Sequence, residues 1–145
     1  MVELDRELAV FEKLPPPDDE EAGRLGGMLF DEKRIEALVA ERDGRIEGIA
    51  IYWQSLGSSF RARPFLYLED LVVSESARSG GVGEALMAAL AREGVRRGAM
   101  RLEWAVLDWN VDAIRFYRRI GGRPQQNDWI RYSLPEAEMK KLAGV

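Results

Sequence analysis

At 145 residues, 46% apolar and 32% charged, the chain has the composition of one ordinary globular domain, long enough to bury about 70% of its unfolded surface. It contains neither cysteine nor histidine, which excludes a disulfide framework, the usual zinc sites, a cysteine nucleophile and every triad built on a histidine base. Its net charge of −4 argues against a nucleic-acid partner and suits a cationic substrate.

Residues 3–13 place Leu4, Leu8 and Phe11 at helical spacing, and Leu14-Pro15-Pro16-Pro17 is expected to end that helix. Asp18 followed by Glu21 reads as a capping box for a short helix through about Phe30. Two strands follow, Arg34–Arg42 and Arg45–Gln54, joined by the hairpin signal Asp43-Gly44. Leu56–Arg63 reads as a polar loop, and Phe65–Val73 as a strand apolar enough for a central position. Val82–Arg97 forms the next helix, with Gly98 just past its end, and Arg101–Leu107 the next strand. Asn110 is placed to cap a helix reaching Ile120, closed by Gly121-Gly122. A last strand, Trp129–Leu134, precedes a tail helix that begins near Pro135. The order describes a single α/β domain over residues 1–145, with no repeat and no linker. No apolar run approaches the roughly 18 residues of a membrane span, and no signal peptide is recognisable, so the cytoplasm is the expected location.

The segment with most chemistry in it is Arg78-Ser79-Gly80-Gly81-Val82-Gly83, between a buried strand and a helix. Glycines there let backbone N–H groups approach a ligand, and the helix N-terminus adds its positive dipole end. A plain turn is the alternative. A P-loop requires Gly-Lys-Ser/Thr, but Gly83 is followed by Glu84-Ala85; a dinucleotide fingerprint requires a third glycine where Leu86 stands. What remains is Arg-x-x-Gly-x-Gly, which fits a pyrophosphate bound without a metal.

That pattern, carried by Arg78, Gly81 and Gly83, resembles motif A of the GNAT superfamily of N-acetyltransferases. Leu66-Tyr67-Leu68-Glu69-Asp70-Leu71-Val72-Val73, Leu107-Asp108-Trp109-Asn110 and Phe116-Tyr117 are similar, in order and spacing, to the diamine (spermidine/spermine) and thialysine acetyltransferases. The resemblance implies a central, mixed but mostly antiparallel sheet flanked by helices and splayed at the cofactor strand. It implies acetyl-CoA as acetyl donor and no metal. The main chain of Leu71, Val72 and Val73 would meet the pantetheine arm. Arg78 and the N–H groups of Ser79, Gly80, Gly81, Val82, Gly83 and Glu84 would hold the pyrophosphate. Asn110, Asp112, Ala113 and Tyr117 would complete the cofactor contacts.

Tyr117 is then the expected acid for the departing thiolate, although its spacing with Ile114 and Ile120 also fits a core tyrosine. Glu69 is the expected base, acting through ordered water, because an ordinary carboxylate is too weak to deprotonate an ammonium directly. Either Glu69 or Asp70 could instead satisfy a nearby basic group, and alternation along a strand sends the two side chains to opposite faces. Phe11 and Glu12 resemble the aromatic-acidic pair of the family's amine site. Without a cysteine or a Gly-x-Ser-x-Gly elbow, direct transfer in a ternary complex is simpler than an acyl-enzyme.

Two features depart from the family pattern. Its usual opening strand is missing, because the start is misassigned or because the domain does without it; an open sheet edge would then need a cover, such as a partner subunit. The loop before Leu66 offers Gly57-Ser58-Ser59-Phe60-Arg61, neutral or basic, where polyamine-acetylating relatives carry an acidic and an aromatic residue, and a long polycation would meet Arg61 and Arg63. This favours a shorter amine or an amino acid such as thialysine, whose carboxylate could use an Arg. The expected acceptor is a small primary amine; a protein lysine or N-terminal amine, or a non-catalytic acyl-CoA-binding module, are the alternatives. The resemblance also implies a homodimer paired through the C-terminal strand.

Overall fold

The computed structural model describes residues 2–58, 60–125 and 132–144. Contacts divide the chain into two compact units, Met1–Asn110 and Val111–Val145.

The first unit opens with α1 (Val2–Phe11) and α2 (Asp19–Gly26), followed by one π-helical turn at Gly27–Asp31. The capping box forms as expected: Glu21 N–H donates to Asp18 Oδ1 at 2.8 Å, and Asp18 N–H to Glu21 Oε2 at 3.0 Å. The prolines do not themselves end α1. Lys13 takes a left-handed conformation (φ 61°), Leu14 N–H reaches back to the Ala9 carbonyl at 2.9 Å and Lys13 N–H to Val10 at 3.1 Å, which is a Schellman ending.

The sheet has the order β1-β2-β3-β4, with β1 Glu36–Arg42, β2 Arg45–Ser58, β3 Arg63–Val73 and β4 Leu102–Trp104. The first three strands are antiparallel, and β4 runs parallel to β3. Asp43 and Gly44 both have positive φ, as a two-residue hairpin requires. Three expectations need adjustment. The loop before Leu66 is shorter than expected, because Leu56 pairs with Pro64 and Ser58 with Arg63, Gly57 bulging between them. β4 spans Leu102–Trp104 alone, so residues 105–107 leave the sheet. The expected strand Trp129–Leu134 falls largely outside the described residues, and Tyr132–Leu134 form a connecting segment.

α1 and α2 cover one face of the sheet, where Leu4 packs with Ile49, Ile51 and Val72, bordered by Leu8, Leu25, Ile35 and Ala37. α3 (Val82–Arg96) covers the other. Burying these aliphatic side chains contributes roughly 1.5–3 kcal/mol each before ordering costs. In the second unit, α4 (Val111–Arg119) ends at Gly121 (φ 95°), where Gly122 N–H bonds the Tyr117 carbonyl at 2.8 Å. The tail helix α5 is Glu136–Ala143. Among the described residues no helix is long and apolar enough to cross a membrane.

Candidate active site

β3 pairs with β2 from Arg63 to Val73 but with β4 only through Leu66, Tyr67 and Leu68. Beyond Leu68 the two parallel strands part. Residues 69–73 and 105–110 therefore continue past the strands' paired stretch without pairing to each other among the described residues. The edge of β3 at Leu71, Val72 and Val73 meets no strand on that side among the described residues. This is the splay expected of the cofactor strand.

Glu69 occupies a special place in the ladder. Tyr52 lies opposite Leu68 and Ile51 opposite Asp70, so Glu69 is an extra residue, a β-bulge. Paired residues share a face. Tyr52 and Leu68 are on the α3 face, and Ile51 and Asp70 on the face that α1 covers. The bulge thus interrupts the regular alternation of side chains between Leu68 and Asp70. Glu69 is exposed, and among the described residues it has no hydrogen bond or ion pair.

After β3 the chain makes a 3₁₀ turn, Glu75–Ala77, then the glycine-rich turn. Gly81 caps α3 in a left-handed conformation (φ 82°), open space lies where a Cβ would go, and Ser79 is also left-handed (φ 64°). The first helical bond is Ala85 N–H to the Gly81 carbonyl at 2.9 Å. The N–H groups of Ser79, Gly81, Val82 and Gly83 meet no acceptor among the described residues, whereas Gly80 N–H is taken by Ala77 O at 3.2 Å. Four unspent donors at a helix N-terminus are the chemistry an anionic diphosphate needs. The Arg78 side chain donates to the Val73 carbonyl at 3.3 Å, tying the turn to the end of β3.

α3 is held at both ends. At its start, a Cβ on Gly48 would lie 2.9 Å from the Val72 carbonyl, 3.0 Å from Val82 Cγ1 and 3.1 Å from Leu86 Cδ1, so only glycine admits the helix this close. At its end, both terminal nitrogens of Arg97 bond Glu36 at 2.6 Å, and Arg97 also pairs with Glu93. Tyr52 Oη donates to Glu36 at 3.2 Å. The Arg97 hydrogen bond holds the Glu36 carboxyl below the usual glutamate range. Burial, reinforced by the Glu36 charge, pushes the Tyr52 phenol up to about 12.

Phe11, at the end of α1, meets Trp109 with ring centroids 5.6 Å apart, and the Lys13 ammonium lies over the Trp109 ring at 5.3 Å. Glu12 is half-buried between them in sequence. In the sequence Trp109 stands out only as part of a motif, and neither Gly48 nor Lys13 carries a local signal. Arg63 lies elsewhere: at the first residue of β3, before Glu69, its guanidinium bonds the Gly98 carbonyl at 3.1 Å. Asn110 N–H bonds the Leu107 carbonyl at 2.9 Å and ends the first unit. In the second unit, Asp112 pairs with Arg115 at 3.2 Å, Ala113 lies in the first turn of α4, and the Tyr117 ring contacts Phe116 at 5.2 Å between centroids.

Residues 1–122 match the Acetyltransferase (GNAT) family. The chain belongs to that family and is an N-acetyltransferase. It is 30% identical over 156 residues to the thialysine N-epsilon-acetyltransferase of Mus musculus, covering 99% of this chain and 90% of that protein. Over 65 residues it is 43% identical to the L-ornithine N5-acetyltransferase NATA1 of Arabidopsis thaliana, a match to 45% of this chain and 28% of that one. Among solved structures, an integron cassette protein from V. cholerae superposes with a TM-score of 0.78 at 24% identity, covering 99% of this chain and 90% of its own. A probable acetyltransferase superposes with a TM-score of 0.79 at 23% identity, covering 92% and 88%. These two likenesses concern the fold.

Proposed function

We propose that the chain transfers an acetyl group from acetyl-CoA directly to the primary amine of a small molecule. The observation that carries this reading is the glycine-rich turn with its unspent N–H donors, set at the end of a strand whose outer edge is open. Acetyl-CoA would supply the activated acetyl thioester. Ser79, Gly81, Val82 and Gly83 would bind its pyrophosphate through main-chain N–H groups, and Leu71–Val73 would pair with its pantetheine arm. The thialysine and ornithine acetylated by the relatives, as their names state, are small amines.

In this reading Glu69, unpaired and standing at the bulge of β3, takes up the proton of the incoming ammonium through water. The freed amine would attack the thioester carbonyl; as the C–N bond forms and the C–S bond breaks, Tyr117 would give a proton to the departing sulfur, and the second proton shed by the nitrogen would restore the phenol. Asn110, Asp112 and Ala113 would contact the donor as the family resemblance implies, and two copies would pair as a homodimer.

Thiol release from acetyl-CoA, measured against short diamines, spermidine, thialysine, lysine and a peptide N-terminus, tests the proposal. Turnover on a small amine that falls about 10²-fold in Tyr117→Phe is the expected result. Turnover on the peptide alone would move the acceptor to protein. Binding of acetyl-CoA with no turnover on any amine would overturn the proposal in favour of a binding module.

A further inference from the structure

Lys13 stands where helices ordinarily place glycine. It is the left-handed residue of the Schellman ending of α1, with φ 61°. A side chain there costs roughly 1 kcal/mol relative to glycine. A left-handed non-glycine residue persists where the surrounding structure holds it. The conformation carries the ammonium over the face of Trp109, 5.3 Å from the ring centroid, while Phe11 touches the same indole. The aromatic face restrains a side chain that would otherwise be mobile, yet it leaves the charge unneutralised: Lys13 forms no ion pair among the described residues.

Glu12 and Glu69 likewise have no ion pair among the described residues. Trp109 follows β4 and Glu69 lies on β3 just past the point where those parallel strands part, so both come after the paired stretch at the strands' carboxyl ends. That end of the strand pair therefore carries unpaired groups of both signs. A diamine or polyamine would bring a second cation toward Lys13. A molecule with an amine at one end and an α-carboxylate at the other would match both signs.

We propose that Lys13, held over Trp109, binds the carboxylate of an amino-acid acceptor and so makes this enzyme prefer an ω-amino acid over the diamine of the same length. The proposal rests on the small-amine reading above and assigns the carboxylate to Lys13. Arg63 is unsuited to that task because, at the first residue of β3, it is bound to Gly98.

The test compares kcat/KM for ornithine with that for 1,4-diaminobutane, and for lysine with 1,5-diaminopentane. In the parent chain the amino acid is expected to be preferred. In Lys13→Met that preference falls about tenfold or more, through KM for the amino acid rather than kcat, because one charge-assisted contact is lost. Lys13→Arg retains most of the preference and Lys13→Glu reverses it. A preference unchanged within about twofold in both Lys13→Met and Lys13→Glu would overturn the proposal while leaving the acetyltransferase reading intact. A diamine preferred by the parent chain would do the same. Absence of turnover on all four amines would remove both.

Discussion

Gly48 on β2 lies against Val82, the first residue of α3, so closely that a Cβ atom at position 48 would fall 3.0 Å from Val82 Cγ1. The nearest obstruction is the Val72 carbonyl at 2.9 Å, which is backbone and cannot swing aside. Gly48→Ala is therefore expected to destabilise the protein by about 1–3 kcal/mol and to displace the first turn of α3. Because that turn carries the N–H groups assigned to the diphosphate, KM for acetyl-CoA should rise several-fold while KM for the amine changes little. A melting curve and two-substrate kinetics check this. An unchanged KM for acetyl-CoA would separate the packing role of Gly48 from the cradle.

Glu69 is expected to matter most where the acceptor amine is protonated. Glu69→Gln should lower kcat/KM by about 10- to 100-fold at neutral pH. The deficit should shrink as pH approaches the amine pKa of ~10.4, where no base is needed. A pH–rate profile of both proteins decides it; a deficit constant across pH would assign Glu69 to binding rather than proton transfer.

The Arg97–Glu36–Tyr52 cluster makes stability pH-dependent at both ends of the scale. Glu36 has a folded pKa below its ordinary 4.5, because Arg97 hydrogen-bonds the carboxylate. Its contribution is complete above pH 4.5 and is lost as pH falls through the folded value. Glu93, held to about 2 by Arg96 and Arg97, acts in the same direction. Tyr52 is raised from 10.0 to about 12, so the stability it confers is complete below pH 10 and is lost as pH rises toward 12. Arg97→Met should lower the melting temperature by a few degrees at pH 7 and flatten the acid limb. Melting temperature against pH measures both effects; an acid limb of unchanged steepness would exclude the cluster as its origin.

Local signals in the chain determined much of this protein. The Asp18–Glu21 capping box, the Asp43-Gly44 hairpin, the glycine ends of α3 and α4 and the alternation of the strands are short-range chemistry, legible because each depends on residues close in sequence. The Arg78–Gly83 turn was legible for the same reason: a strand, a glycine-rich turn and a helix follow one another without a break. Only the tertiary structure decided features that depend on pairing between distant segments. The bulge at Glu69 exists because Ile51 and Tyr52 choose partners two residues apart on β3, and no local pattern encodes that register. The need for glycine at position 48 comes from Val72, Val82 and Leu86, all far along the chain. Lys13 reads as a surface lysine beside prolines until α1 and the segment after β4 bring it to Trp109. Sequence determines what each segment can do by itself; packing determines which side chains meet, because contact depends on a register and a crossing that no single segment contains.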